Sequence, residues 1–293
     1  MSQAFRLHPG AHPGRVRLQV AELERSVAFY QGVLGLAVLT REEQHASIGA
    51  AGAATPLVEL RERPGAAPVA PQGRLGLYHF ALLLPDRGAL GAFITHLSAR
   101  GVRAGAADHR VSEALYLQDP DGLGIEVYAD RPRTEWRYEN GQLLMATNPL
   151  DVADIVAAAG GRRWDGMPAG TTMGHIHLHV GYLEEAAAFY RDGLGLEATV
   201  WSYPGALFLS AGGYHHHLGL NTWATGAPPP GEEDARLLDW EMLIPDSEGV
   251  AAAAANLRAG GHAVEPAEDG VLARDPWGTT LRLRAEATEA PGA

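Results

Sequence analysis

Between positions 175 and 180 polar and apolar residues alternate without a break, with His175, His177 and His179 interleaved between Ile176, Leu178 and Val180. A period of two predicts a β-strand with the three imidazoles on one face. From 184 to 190 the pattern becomes an apolar stripe at helical spacing. Gly195 is the expected helix-end residue, because glycine takes left-handed angles at no steric cost.

The same succession opens the chain, displaced by 160 positions: Gly14 matches Gly174, Leu23-Glu24 matches Leu183-Glu184, Phe29-Tyr30 matches Phe189-Tyr190, and Leu34-Gly35-Leu36 matches Leu194-Gly195-Leu196. So many identities at one offset are a repeat. A second unit reads as a strand over 77–84, a helix over 90–100, and a hairpin whose turn is Asp119-Pro120-Asp121-Gly122. A fourth unit repeats it, with a strand over 238–244, a helix over 250–258 and the turn Asp275-Pro276-Trp277-Gly278. Residues 1–13 show no periodicity and read as a loose arm. The expected division is 1–130 for units one and two, a linker over 131–172, and 173–287 for units three and four. A short helix over 150–158 is expected behind Asn148-Pro149.

Composition narrows the function. The chain has 293 residues, enough for two compact domains or one large one, and 46% hydrophobic residues supply a core. No apolar run reaches the roughly 18 residues of a membrane span. A formal charge of -12 argues against a general affinity for nucleic acid, which needs clustered cations. The expectation is therefore a cytoplasmic protein with neither nucleic acid nor membrane as partner. There is no cysteine, so disulfides, thiol catalysis and cysteine-based zinc sites are excluded, and any metal must be held by His, Asp or Glu.

Four strand-helix-strand units with Phe-Tyr and Leu-Gly-Leu around the first helix resemble the βαβββ modules of the vicinal oxygen chelate superfamily. The resemblance implies an α+β fold of four modules in two half-barrel pairs. Within it, Gly174-His175, the His215-His216-His217 cluster and Tyr116 ten residues before Glu126 are most similar to catechol 2,3-dioxygenase-like extradiol enzymes. That implies cleavage of a small aromatic diol with O2. Glyoxalase-like lyases or isomerases and non-catalytic binding proteins share the superfamily, so the fold alone does not fix function.

The resemblance also implies where a metal would be held: by a histidine on the first strand of one module, and by a first-strand histidine and a last-strand glutamate of its partner. Unit one offers Arg15, unit two His79 and Glu126, unit three His175, and unit four Asp239 and Arg282. Pairing units in chain order leaves both halves incomplete. Pairing two with three gives His79, Glu126 and His175, and leaves Arg15, Asp239 and Arg282 to units one and four, where Arg15 and Asp239 are expected to meet. Two imidazoles and a carboxylate suit Fe(II), and Mn(II) accepts the same donors. By the same resemblance His216 is the acid-base histidine and Tyr116 binds substrate; His109 is expected on the approach to the pocket, with a surface position as the alternative. His215 and His217 are expected on the opposite strand face from His216, with a solvated hairpin rim as the alternative for the triplet. Asn221 and Trp223 are assigned no role. A repeated-module protein of this kind is often a symmetric homo-oligomer.

Overall fold

The computed structural model describes residues 5–70 and 73–286. Unit one folds as β1 (His12–Val20), α1 (Leu23–Gly32), β2 (Ala37–Arg41), β3 (His45–Gly49) and β4 (Val58–Glu62). Unit two is β5 (Gly76–Leu83), α2 (Arg87–Ala99), β6 (Gly105–Asp108), β7 (Ser112–Gln118) and β8 (Gly124–Asp130). The connection carries the short pair β9 (Tyr138–Glu139) and β10 (Gln142–Leu143), then α3 (Val152–Ala158). Unit three is β11 (Thr172–His179), α4 (Leu183–Ala187), β12 (Glu197–Val200), β13 (Ala206–Ser210) and β14 (Leu218–Asn221). Unit four is β15 (Arg236–Ile244), α5 (Ser247–Ala259), β16 (Val264–Ala267), β17 (Gly270–Arg274) and β18 (Thr280–Ala285). Every unit is βαβββ. In the Pro-Asp steps before α2 and α5, Asp86 and Asp246 accept the N–H of Ala89 and Gly249 and so cap the helices.

The strands form two curled sheets of eight. One runs β16-β17-β18-β15-β1-β4-β3-β2 and the other β12-β13-β14-β11-β5-β8-β7-β6. Unit one therefore pairs with unit four, and unit two with unit three, through the antiparallel seams β1 with β15 and β5 with β11. The linker divides the sequence repeat but not the sheets, each of which draws one unit from either side of it. Alternation sorts the side chains. Phe80, Leu82, Ile125, Val127, Ile176 and Leu178 face outward into a core shared with Leu18, Trp240 and Met242 of the other sheet. His79, Glu126, Tyr128, His175 and His177 face the concave side.

Two local expectations are corrected. The stripe over 184–190 is not one α-helix: α4 stops at Ala187 and continues as a π-helical turn, Ala188–Gly193. The wider turn buries both Phe189 and Tyr190, whereas in α1 the equivalent Tyr30 is buried and Phe29 only half-buried. The arm over 1–13 is also less loose than its composition suggests. Residues 1–4 lie outside the described residues, but Leu7 and Ala11 are buried, Leu7 donates its N–H to the Gly195 carbonyl, and β1 already begins at His12. Gly195 has φ +89, the left-handed turn expected of it.

Candidate metal centre and pocket

On β5, β8 and β11 three donor atoms converge. Glu126 Oε2 lies 3.0 Å from both His79 Nε2 and His175 Nε2, and the two imidazole nitrogens are 3.3 Å apart. Donors about 2.1 Å from one centre stand roughly 3.0 Å apart at right angles and roughly 3.4 Å apart in a tetrahedron. The observed triangle is close to one face of an octahedron, so these residues could hold a divalent ion with its remaining positions free. All three side chains are buried. Burial lowers both histidines below their ordinary value, and so favours the neutral imidazole that ligates. Burial alone would raise Glu126, but the charge and hydrogen bonds of His175 and His79 outweigh it and hold the carboxyl well below the usual range. Gly174 makes the approach possible. A Cβ there would come 1.9 Å from the Tyr128 hydroxyl, which lies over the backbone beside His175. His175 Nδ1 is buried with no hydrogen-bond partner among the described residues, and its ring is held by packing between Tyr128 and His216.

The triangle forms the floor of a cavity of about 470 Å³ that also exposes His109, Tyr116 and His216. All six candidates from the sequence are thus brought together. His109 donates Nδ1–H to the Ala146 carbonyl at 2.7 Å, so its Nε2 accepts the Tyr116 hydroxyl at 2.5 Å. Tyr116 then turns oxygen lone pairs, not its proton, toward the cavity. The His216 ring packs tilted against the His175 ring, centroids 4.1 Å apart, and burial, followed by the neighbouring His175 and His215, pushes its pKa well below the ordinary value. The histidine triplet is neither a strand nor a solvated rim. It lies in the loop between β13 and β14, and all three rings are buried. His215 turns to Asp130, while His217 Nδ1 accepts the Ala211 N–H and its ring stacks on Tyr214.

Other pocket residues had no role in the sequence reading. His177 shares the strand face of His175 and packs 4.9 Å from the His79 ring, a position that the strand period alone pointed to. Trp223 and Tyr78 form a wall, and buried Asn221 accepts both the Trp223 N–H and His179 Nδ1–H. Met145 and Thr147 come from the linker, whose sequence has no period to announce them.

Comparison with known proteins fits this geometry. The model of the Glyoxalase/Bleomycin resistance protein/Dioxygenase superfamily matches residues 12–127 and 172–283. The chain belongs to that superfamily. It is 43% identical over 274 residues to a catechol-2,3-dioxygenase of Bacillus subtilis (strain 168), spanning 92% of this chain and 95% of that protein. It is 31% identical over 183 residues to biphenyl-2,3-diol 1,2-dioxygenase 2 of Rhodococcus globerulus, spanning 58% of this chain and 88% of that one. Among solved structures, glyoxalase I of Zea mays superposes with a TM-score of 0.54 at 17% identity, over 94% of this chain and 92% of that one, and so shares the fold.

In this superfamily member the sheet of units one and four carries ion pairs where the other carries donors. Arg15 does not meet Asp239. It binds Glu59 at 2.6 Å and Glu241 at 2.8 Å, and Asp239 instead takes Arg17 at 2.7 Å, with Arg282 behind at 3.6 Å. Competing partners decide it. Across the antiparallel seams the residues facing each other are Arg17 with Asp239 and, in the other sheet, His177 with His79. Arg15 and Asp239 are offset by two residues, as are His175 and His79, but the facing Arg17 takes Asp239 while Glu59 and Glu241 take Arg15. Arg282 finds its closer partner in Asp269, at 2.7 Å.

Proposed function

We propose that this protein is a metal-dependent extradiol dioxygenase that opens the ring of an aromatic 1,2-diol with O2. The observation that carries the reading is the triangle of His79, His175 and Glu126 at the floor of a cavity that also presents His216 and Tyr116. Two imidazoles and one carboxylate on one octahedral face suit Fe(II), with Mn(II) the second choice for the same donors. When bound, the ion would supply Lewis acidity toward the diol and the one-electron chemistry that dioxygen requires. The residues of the chain do the rest. His216 is the group that takes a hydroxyl proton from the diol and later returns one. Tyr116, its own proton engaged by His109, accepts a hydrogen bond from the second hydroxyl. The 43% identity to the Bacillus catechol-2,3-dioxygenase supports the same reading.

The walls also speak to the substrate. All 23 cations of the chain are arginines, and none lines this cavity, which is walled instead by Tyr78, Met145, Phe208 and Trp223. A carboxylate carried into it would be desolvated without a partner, at a cost of several kcal/mol. The diol is therefore expected to be uncharged, with kcat/KM for 4-methylcatechol roughly tenfold or more above that for 3,4-dihydroxybenzoate.

The test is to load the protein with Fe(II) without air, then add catechol and oxygen. A yellow ring-opened product with one O2 consumed per catechol is expected. Glu126→Gln should lose metal and activity together, because an amide oxygen is a much poorer ligand than a carboxylate. Fully iron-loaded protein that consumes no oxygen with any catechol would sink the reading.

A further inference from the structure

The loop between β13 and β14 sets His215 and His216 side by side, their Nδ1 atoms 2.7 Å apart. At its other edge His215 directs Nε2 to Asp130 Oδ1 at 2.9 Å. Asp130 ends β8, the strand that carries Glu126 four residues earlier, and it also accepts the Tyr214 hydroxyl at 3.2 Å. His215 is fully buried, with the Trp136 ring packed 5.4 Å away. We propose that Asp130 and His215 are positioning residues that lock His216 in the tautomer protonated at Nδ1 and keep its Nε2 lone pair on the cavity. The lock is a matter of hydrogen-bond geometry, and only the use made of that lone pair rests on the ring-cleavage reading.

The argument follows the protons along the chain. A carboxylate oxygen only accepts, so the His215 proton sits on Nε2. In a neutral imidazole one nitrogen donates and the other accepts, which leaves His215 Nδ1 with a lone pair. Two Nδ1 atoms at 2.7 Å need one proton between them, and His216 must supply it. His216 Nε2, which makes no hydrogen bond among the described residues, is then bare, and His216 lines the cavity. A histidine that must take a proton from a substrate is useless in the other tautomer, and a carboxylate behind an imidazole is a known way to fix the right one. Here the carboxylate acts through a second imidazole. The same device recurs across the cavity, where the Ala146 carbonyl fixes His109 for Tyr116.

The experiment reads the tautomer directly. Protein labelled with 15N-histidine is examined by long-range proton-nitrogen correlation, metal-free and loaded with diamagnetic Zn(II), for the wild type, Asp130→Ala and Asp130→Asn. Wild-type His216 is expected to carry its proton on Nδ1. Asp130→Ala, at a side chain 28% exposed and so tolerant of truncation, should scramble it. Asp130→Asn, whose amide oxygen still accepts from His215, should restore it. With Fe(II), Asp130→Ala should lose about tenfold or more in kcat with metal content and KM for catechol unchanged, and Asp130→Asn should recover most of the loss. A wild-type His216 protonated at Nε2 would overturn the proposal, whatever the variants do. So would an Asp130→Ala protein whose His216 keeps its proton on Nδ1. Wild-type protein that holds the Nδ1 proton but takes up no oxygen with catechol would uphold the lock and overturn the ring-cleavage reading instead.

Discussion

Two side chains meet the cavity as acceptors: His216 through Nε2 and Tyr116 through a phenol oxygen whose proton is already given to His109. A ligand bringing two adjacent hydroxyl donors complements that pair. The two acceptors are not equal, because an imidazole nitrogen can take and return a whole proton, whereas the phenol oxygen, its own proton engaged, only accepts a hydrogen bond. His216→Phe is expected to keep its metal and still bind catechol but lose roughly a hundredfold in kcat. Tyr116→Phe should lose several-fold, more of it in KM. Oxygen uptake under saturating catechol separates the two, and near-normal turnover of fully loaded His216→Phe would move the proton to another group. Residues that announce themselves by spacing, such as Tyr116 ten before Glu126 and His175 after Gly174, were legible in the sequence. Asp130 was not, because its role depends on a contact with a residue 85 positions away that no local pattern encodes. His215 was visible as one of a triplet, but strand periodicity turned it the wrong way, since the triplet lies in a loop.

At the level of elements, the repeated Phe-Tyr pairs turn out to do more than fill space. Tyr30 of α1 donates to Asp119 in the turn before β8, and Tyr190 donates to Asp275 in the turn before β18. Each bond runs from a helix of one sheet to a turn of the other, so the two tyrosines fasten the sheets together once in each half. Asp119 also accepts the N–H of Asp121 and Leu123, yet burial wins and pushes its carboxyl up to about 6. In the unfolded chain the value is about 3.9. Between these values the folded protein retains a proton that the unfolded chain has released. Stability is thus greatest below about pH 4 on this account, and falls as pH rises through 6, by on the order of 3 kcal/mol. Asp119→Asn retains the acceptor oxygen and has no proton to lose. Its urea midpoint should match the wild type near pH 4 and exceed it at pH 7, and an equal pH slope in both proteins would show that Asp119 is not the source. The turn itself was readable from Asp-Pro-Asp-Gly, but its bond to a tyrosine some 90 positions earlier required the fold.

For the whole molecule, the decisive fact is which unit pairs with which. Ligand types at four equivalent positions pointed to the crosswise scheme, and the two seams bear it out. What those positions did not convey was the register that joins Arg17, not Arg15, to Asp239. The sheet with the donor triangle occupies one stretch of chain, from β5 to β14, and the charged sheet is closed from the two ends. Contiguity does not make the inner stretch independent, because Phe80, Ile125, Val127 and Ile176 would lose the core they share with the outer units. Residues 73–226 expressed alone should be aggregated or dye-binding and hold no metal, although all three donors are present. A soluble monomer with full metal occupancy would show the outer sheet to be dispensable. The same chain path orders events at the ribosome. Unit one emerges first but has no partner until unit four is made, so the β1 edge stays open while the middle of the protein assembles. In that interval two neighbouring nascent chains can exchange their ends, and the route to an intertwined dimer is built into the order of synthesis.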